Sequence, residues 1–295
     1  MHSDLQGVAN LKPERMGEEE RQKLLEVADG VLGDGGKAVA VAAYGSKVAG
    51  YARKDSDYDI IVVAKKFRGR IQYHYVDSPV TASALVVEES LLESDARKAL
   101  LGEFVSGRLL NVYEPLLNGQ VFKTAEVDSK KRVLAEEIFE IGSQQGEFAQ
   151  DLVIPHEYFL YNKLHKRALI YPPALYSYVK TYTCAARAEN KAFSLEGFAE
   201  AALSLQASGI LKLEVTEGKK AKVRILGEGL RSRSFARLLS LFNLTTRGVR
   251  QYAVHGYAGR VGLNVFKDEA LSKVRRMQEK VDPPLELEEP KRLLG

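Results

Sequence analysis

The chain has 295 residues, 45% hydrophobic and 28% charged, which is typical of a folded globular protein with two or three domains. No apolar run approaches the ~20 residues that a membrane-spanning helix needs. The first residues also lack the pattern of a signal peptide, so we expect a cytoplasmic protein without a membrane partner. The single cysteine, Cys184, excludes an intrachain disulfide, and the five histidines show no metal-ligand spacing.

The first elements lead to a glycine-serine turn. Residues 1–16 are expected to be a flexible N-terminus, and residues 17–33 have the pattern of a helix with Glu in its first turn. A short Val/Ala-rich run then predicts a buried strand over 39–43, which ends in Gly45-Ser46. Glycine permits a tight turn and a close approach of a ligand to the backbone. Ser46 is expected to begin a helix, where free N–H groups favour a phosphate, and Lys47 and Arg53 are nearby cations.

The sequence Ser56-Asp57-Tyr58-Asp59 opens a second apolar run over 60–64. Side chains alternate along a strand, so the two carboxylates point the same way, ~6.5–7 Å apart. Mg²⁺ is bound by one or two carboxylates together with substrate phosphates, and this pair suits it. The alternative is a pair of solvated strand-end residues, but Asp is disfavoured in strands.

These motifs together resemble the nucleotidyltransferase superfamily typified by DNA polymerase β, as a minimal, archaeal-type member. The resemblance implies transfer of NMP from an NTP to an acceptor hydroxyl with Mg²⁺ (or Mn²⁺). It implies catalysis and metal binding by Asp57 and Asp59. It also assigns nucleotide binding to Gly45, Ser46, Lys47, Arg53 and Ser56.

The family uses a third carboxylate on a later strand. Residues 71–76 and 80–87 predict a hairpin around the turn Asp77-Ser78-Pro79. The resemblance places Ser83 where the third carboxylate is expected. The nearest acids are Asp77, Glu88 and Glu89, of which Asp77 is equally a turn residue and Glu88 equally a helix cap.

The middle of the chain is predicted to be mostly helical. Residues 88–104 have the pattern of a helix and residues 108–113 that of a short strand before a turn at Pro115, which completes a nucleotidyltransferase domain over 17–122. Helices over 127–148, 155–169 and 173–184 form a helical region over 123–185. Its aromatic residues suit either stacking with bases or packing between helices; they are Tyr158, Phe159, Tyr161, Tyr171, Tyr176, Tyr178 and Tyr182.

The C-terminal third carries most of the excess positive charge, with sixteen Lys/Arg against six Asp/Glu over 210–280. A helix ending near 208, followed by strands over 211–215 and 222–226, resembles a winged helix, and we assign residues 186–281 to a winged-helix-like basic domain. Arginines interleaved with aromatics suit a nucleic acid, although a solvated helix face is the alternative; the candidates are Arg231, Arg233, Arg247 and Arg250. A helix over 267–281 and a flexible tail over 282–295 follow.

We therefore expect an α+β fold: a small mixed nucleotidyltransferase sheet with flanking helices, followed by a helical region and a winged-helix-like domain. The expected partners are an NTP and an RNA acceptor, such as a tRNA-like molecule or a 3′ end. The acceptor is alternatively a protein or a small molecule. A third interpretation is a catalytically degenerate regulator that binds nucleotide or nucleic acid, because Ser83 replaces a carboxylate.

Overall fold

The structure is a computed structural model that describes residues 16–33, 36–149, 152–207, 209, 211–216, 220–226 and 246–255. The elements are, in order, α1 Glu18–Leu32, β1 Ala38–Tyr44, α2 Gly45–Ala49, β2 Tyr58–Ala64, β3 Ile71–Val76, β4 Ala82–Glu88, α3 Glu89–Lys98, β5 Tyr113–Leu117, α4 Gly119–Gln145, β6 Val153–Pro155, α5 His156–Ile170, α6 Ala174–Thr183, α7 Arg187–Gln206, β7 Leu211–Thr216 and β8 Lys220–Ile225. A helix over residues 246–255, here α8, follows.

Five strands form a mixed sheet in the order β3-β4-β2-β1-β5. The neighbours β2 and β4 are parallel, and the other pairs are antiparallel. The register places Asp59 opposite Tyr44 on one side and opposite Ser83 on the other. The start of β2, the start of β4 and the end of β1 therefore meet at one edge of the sheet.

The two faces of this sheet carry separate apolar cores, because side chains alternate along each strand. On one face, Ile61 and Leu85 pack with residues of α3 and the first turns of α4. On the other face, Ile60 and Val86 pack with residues of α1 and α2. These four side chains are fully buried, and each contributes about 1.5–3 kcal/mol by leaving water. The sheet is thus a rigid platform for the side chains at its edge.

A second unit is built from α4 to α7 and a three-stranded sheet in the order β6-β8-β7. Its core contains Leu134 from α4, Phe159 from α5, Phe198 from α7 and Val223 from β8, all fully buried. Helix α4 belongs to both units, since Phe122 in its first turns packs against the large sheet. The predicted boundary at 122/123 lies inside this helix, and the division into domains stays a prediction.

The predicted fold class is confirmed: the chain is α+β, with a mixed sheet, flanking helices and a following unit of helices and a hairpin. Helix α1, strands β1 to β4 and helices α5 and α6 lie close to their predicted ranges, whereas α4 begins at Gly119, eight residues before the predicted start at 127. The helix predicted to end near 208 is α7, which ends at Gln206, and the hairpin that suggested a winged helix is β7-β8. The three-residue strand β6 was not predicted.

Two further predicted elements differ from the structure in extent. The helix predicted over 88–104 ends at Lys98, because Ala99 adopts a left-handed conformation with φ 50°. The strand predicted over 108–113 is instead a 3-10 turn at residues 106–110, and the strand β5 follows it. Pro115 lies within β5 rather than in a turn. A proline is tolerated there because β5 is an edge strand.

Several expectations fall on residues outside the described ranges. They are the flexible residues 1–15, the tip of the hairpin at 217–219, the helix over 267–281 and the tail over 282–295. Within the ranges that the structure describes, no helix is both long and apolar enough to cross a membrane.

Candidate functional site

A cleft of about 580 Å³ lies over the edge of the large sheet where β1 ends and β2 begins. The sheet contributes Gly45, Asp57, Asp59 and Ser83 to its wall. The opposite wall comes from the loop after α3, from α6 and from α8. Polar groups on a rigid sheet edge facing an aromatic wall are typical of a small-molecule site.

The sequence predicts that Asp57 and Asp59 point the same way; Asp57 immediately precedes β2, and Asp59 is its second residue. Asp59 alternates with the buried Ile60 and lies on the face of Ile61. Both aspartates line the cleft and are half-buried, so their carboxylates remain accessible from it. The cleft wall thus carries two carboxylates that are two residues apart in the chain.

Gly45 is packed directly against one of these carboxylates. Its backbone is left-handed, with φ +79°, a conformation that side chains rarely adopt. A Cβ built on Gly45 would lie 2.2 Å from Asp59 Oδ2. Glycine is therefore required here for two reasons, the turn after β1 and the space that the Asp59 carboxylate occupies.

Ser83 occupies the position where a third carboxylate was expected. It lies opposite Asp59 in the parallel pairing of β2 with β4. Its hydroxyl donates a hydrogen bond of 2.6 Å to Asp57 Oδ2. This hydrogen bond orients the Asp57 side chain without adding a negative charge.

The other nearby acids do not reach this point. Glu88 pairs with Ala64 at the far end of β2 and accepts a hydrogen bond from Arg70 at 3.2 Å. Glu89 forms an ion pair with Lys65 at 3.9 Å. Asp77 is not among the residues that line the cleft. In the described ranges, no group of three or more acidic, His or Cys side chains is arranged to hold a metal ion.

The remaining residues expected to bind nucleotide divide into two groups. Ser46, Arg53 and Ser56 line the cleft. Ser56 Oγ accepts a hydrogen bond of 2.9 Å from the Arg53 backbone N–H, which closes the turn before the aspartates. Lys47 does not line the cleft, since its ammonium lies over the Tyr58 ring, 4.7 Å from the centroid.

Of the four arginines expected to contact nucleic acid, Arg231 and Arg233 lie outside the described ranges. Arg250 is exposed on α8. Arg247 is engaged differently from the expectation. It donates to Glu136 at 2.7 Å and lies 3.5 Å from Glu103, within a largely buried cluster of charges. Its partners hold it in the protein interior rather than on an open basic surface.

A loop over residues 99–110 forms part of the cleft and was not anticipated. It is organised by the fully buried Asp95, whose carboxylate accepts four backbone N–H groups, from Leu101 and Glu103 at 2.9 and 3.0 Å and from Val105 and Ser106 at 3.1 and 2.9 Å. The loop presents Phe104 and Arg108 to the cleft. The sequence holds no local sign of this, since Asp95 resembles any helical surface residue.

Arg108 is the cation of this loop that faces the cleft. Its Nε donates to the Tyr44 hydroxyl at 3.1 Å and its Nη2 donates to the Tyr73 hydroxyl. Burial and the neighbouring Asp59 carboxylate raise the pKa of Tyr44, while Arg108 acts in the opposite direction. Tyr44 thus contacts Arg108 through its hydroxyl and lies opposite Asp59 in the pairing of β1 with β2.

The cleft is rich in tyrosine. Tyr51 from the turn after α2 shares a hydrogen bond of 2.6 Å with the Ser177 hydroxyl of α6, which joins the two walls. Tyr75 is 71% exposed and stacks on Tyr73, with ring centroids 6.2 Å apart. Seven tyrosines line the cleft: Tyr44, Tyr51, Tyr73, Tyr75, Tyr171, Tyr176 and Tyr178.

The aromatic residues predicted either to stack with bases or to pack between helices differ in their surroundings. Tyr161 and Tyr182 pack edge to face, 5.6 Å between centroids, and Phe159 is fully buried. Tyr171, Tyr176 and Tyr178 reach the cleft. Packing therefore accounts for the first three and also for Tyr178, which is 9% exposed and belongs to the core of the second unit. Tyr171 and Tyr176 border the cleft, and stacking of a base on them stays a prediction.

The donor set of the cleft fits one hard cation. Asp57 and Asp59 supply carboxylate oxygens, and Gly45 leaves room beside Asp59. Two carboxylates without nitrogen or sulphur ligands suit Mg²⁺, which completes its shell with waters and substrate phosphates. A cage made wholly of protein ligands is not what these residues offer.

No family model matches the chain, and no curated protein matches it. Among solved structures, a nucleotidyltransferase-like protein from Exiguobacterium sibiricum 255-15 aligns with 70% of this chain and 99% of its own chain. The identity is 10% and the TM-score is 0.26. A likeness this weak does not assign the chain to a family, and the case for a function rests on the site itself.

Proposed function

We propose that the protein is a metal-dependent nucleotidyltransferase that moves NMP from an NTP to an acceptor hydroxyl. The observation that carries the proposal is the cleft edge, where the Asp57 and Asp59 carboxylates lie beside the left-handed Gly45 turn. A nucleoside triphosphate needs carboxylates that hold its cation, and beside them backbone that its phosphates can approach closely. Neither the pair of carboxylates nor the glycine turn would indicate this function alone.

In this proposal, Asp57 and Asp59 hold Mg²⁺ or Mn²⁺ together with the nucleotide. The cation supplies charge stabilisation at the phosphoryl oxygens and orients them. The turn at Gly45 and Ser46 approaches the phosphates, and Ser83 keeps Asp57 in position. The acceptor hydroxyl gives its proton to water, its oxygen forms a bond to the α-phosphorus, and the bond from that phosphorus to pyrophosphate breaks, so that pyrophosphate leaves.

The tyrosines of the cleft are suited to the base. Tyr75 is exposed, and Tyr176 faces the sheet edge from α6. Stacking of a base on an aromatic side chain contributes ~1–3 kcal/mol and tolerates different bases. The geometry favours nucleotide binding without indicating one base over another.

RNA is the acceptor that the charge distribution favours. Lys212, Lys222 and Arg224 lie on the β7-β8 hairpin, and Arg250 is exposed on α8. Sixteen Lys/Arg against six Asp/Glu over residues 210–280 give this part of the chain its positive excess. Binding to a polyanion through such residues weakens steeply with salt.

One observation favours a second candidate, a regulator that binds nucleotide without turnover. Ser83 supplies a hydroxyl where an enzyme of this kind places a carboxylate that activates the acceptor. Metal and nucleotide binding would survive this replacement, while transfer would not.

The test is to incubate the protein with each α-labelled NTP, Mg²⁺ or Mn²⁺, and an extract containing RNA and protein from its source. Label on RNA that disappears with D57N/D59N supports the proposal, and label on protein changes the acceptor. Label that persists undiminished in a folded D57N/D59N variant would falsify the assignment of the site. Nucleotide binding without any label favours the regulator.

A further inference from the structure

Arg108 differs from the other arginines of the cleft in what surrounds it. Its guanidinium lies among three rings, with Cζ 4.5 Å from the centroid of Phe104, 5.4 Å from Tyr44 and 5.9 Å from Tyr73. Two phenol oxygens accept its hydrogen bonds. Its interactions among the described residues include no carboxylate. A half-buried positive charge is thus left without a negative partner.

Three donors of Arg108 remain for a ligand. A guanidinium has five N–H groups, and Tyr44 and Tyr73 use one on Nε and one on Nη2. The remaining N–H groups, both on Nη1 and one on Nη2, have no acceptor within the described residues. Two adjacent donors in a fixed plane match the oxygens of a phosphate.

The other arginines that line the cleft lack this combination. Arg167 is buried, but its Nη1 donates to Glu103 Oε2 at 2.9 Å and its Nε donates to Tyr178 at 2.8 Å. Arg53 is exposed, so water already solvates it. Only Arg108 among these three is held by rings, faces the cleft and lacks a carboxylate.

From this arrangement we propose that Arg108 is a phosphate-binding residue, which takes a phosphate group of the ligand on the N–H groups that Tyr44 and Tyr73 leave free. The proposal deepens the proposed function and rests on it only for the identity of the ligand. The phosphate comes from the nucleotide itself or from the RNA acceptor. In either case the ligand spans from the carboxylates to Arg108.

Asp57 and Asp59 repel a phosphate when no cation is present, and Arg108 offsets this repulsion. Its rigidity matters as much as its charge. The Tyr44 and Tyr73 hydroxyls and the buried Phe104 ring fix the guanidinium before the ligand arrives, so little freedom is lost on binding. A lysine here would keep the charge and lose the planar fork.

The experiment measures binding of three probes to the full chain by titration calorimetry in EDTA: tripolyphosphate, ATP and a short oligoribonucleotide. We expect R108Q to weaken at least one probe about 10- to 100-fold, as the loss of charged hydrogen bonds does, and R108K to weaken it less. If R108Q binds both tripolyphosphate and ATP more weakly, Arg108 contacts a phosphate of the nucleotide. If only binding of the oligoribonucleotide is weakened, Arg108 contacts a phosphate of the RNA acceptor.

The control is R70Q, since Arg70 is exposed, pairs with Glu88 at the far end of the sheet and does not line the cleft. It should bind every probe as the wild type does. If R108Q, folded by circular dichroism, binds all three probes like the wild type, the proposal is overturned and Arg108 serves packing alone. If R108Q does not fold, unchanged binding by R108K overturns it in the same way.

These probes separate the inference from the proposed function. Binding in EDTA needs neither the cation nor NMP transfer. If R108Q loses phosphate binding and the wild type transfers no NMP, the phosphate-binding role of Arg108 is supported and the proposed nucleotidyltransferase activity is rejected. If the wild type transfers NMP and R108Q binds all three probes normally, the activity is supported and the role of Arg108 is rejected.

Discussion

Single residues decide whether this cleft can hold a cation and a phosphate, and Gly45 is the most constrained of them. Its left-handed backbone and the 2.2 Å separation between a built Cβ and Asp59 Oδ2 leave no room for a side chain. Part of this was accessible from the sequence, because a glycine between an apolar run and a serine indicates a turn. The contact with Asp59 was not, since it depends on how β1 pairs with β2.

We predict that G45A will displace the Asp59 carboxylate and weaken ATP binding in Mg²⁺ at least about 10-fold. The left-handed backbone also costs ~1–3 kcal/mol of stability for a non-glycine residue. Isothermal titration with ATP and urea unfolding measure the two effects.

The matched control is G30A. Gly30 lies within helix α1, and a Cβ there would meet nothing within 4 Å. Alanine should leave ATP binding unchanged and stabilise the helix by up to ~1 kcal/mol. Undiminished ATP binding by G45A would show that the Asp59 position does not matter for the nucleotide.

At the scale of elements, the parallel pairing of β2 with β4 sets the chemistry of the site. It places Ser83 opposite Asp59, and the hydroxyl donates to Asp57 at 2.6 Å. The sequence predicted both strands and the position of Ser83 in the later one. The hydrogen bond from Ser83 to Asp57 could not be predicted, because the alternation of side chains along a strand does not show which side chains of neighbouring strands meet.

Other elements escaped prediction for identifiable reasons. Pro115 suggested a turn, whereas an edge strand accepts proline. The loop over 99–110 depends on four backbone N–H groups that converge on the buried Asp95, and such a long-range capture has no local pattern. Arg108 was missed with that loop, since nothing in its neighbours along the chain places it beside Tyr44.

We predict that S83D will make the protein depend more strongly on divalent cations. The new carboxylate lies beside Asp57, so like charges destabilise the fold in EDTA, and a cation bound among three carboxylates relieves the repulsion. Thermal unfolding in EDTA and in Mg²⁺ gives the measurement. The rise in Tm on adding Mg²⁺ should be larger than for the wild type.

S83A is the control for this change, because it removes the same hydroxyl and adds no charge. Its response to Mg²⁺ should stay close to that of the wild type. A Tm of S83D that Mg²⁺ does not alter would mean that position 83 is too far from the cation to contribute.

For the whole molecule, a buried cluster of charges ties the two units together. Glu103 from the loop after α3 contacts Arg132 of α4 at 2.6 Å, Lys163 of α5 at 2.6 Å, Arg167 of α5 at 2.9 Å and Arg247 of α8 at 3.5 Å. Burial by itself would raise the pKa of Glu103, but these four cations hold that pKa well below its usual range. Cations from three helices therefore converge on this one carboxylate.

We predict that E103Q will lower the free energy of unfolding by about 3–5 kcal/mol near neutral pH, since breaking a buried pair leaves charges uncompensated. The folded-state pKa of Glu103 is depressed. Its contribution is thus fully present above the unfolded pKa of ~4.3 and is lost as pH falls below it. Urea unfolding from pH 7 to about pH 3 should show the difference from wild type shrinking below about pH 4.

E19Q is the surface comparison, because the Glu19–Lys23 pair on α1 is exposed. Exposed pairs of this kind contribute little to stability, because water and salt screen them, so E19Q should change the free energy of unfolding far less than E103Q. Equal effects of E103Q and E19Q would mean that the buried cluster does not hold the units together.

The most direct measurement of the central claim is the effect of Mg²⁺ on ATP binding, by equilibrium dialysis, in the wild type and in D57N/D59N. If Asp57 and Asp59 hold the cation together with the nucleotide, Mg²⁺ should tighten ATP binding to the wild type at least about 10-fold. In the double variant Mg²⁺ should have no effect, and ATP should bind in EDTA at least as tightly as to the wild type, because the repulsion is gone. Equal tightening by Mg²⁺ in both proteins would contradict a metal and nucleotide site at this edge of the sheet.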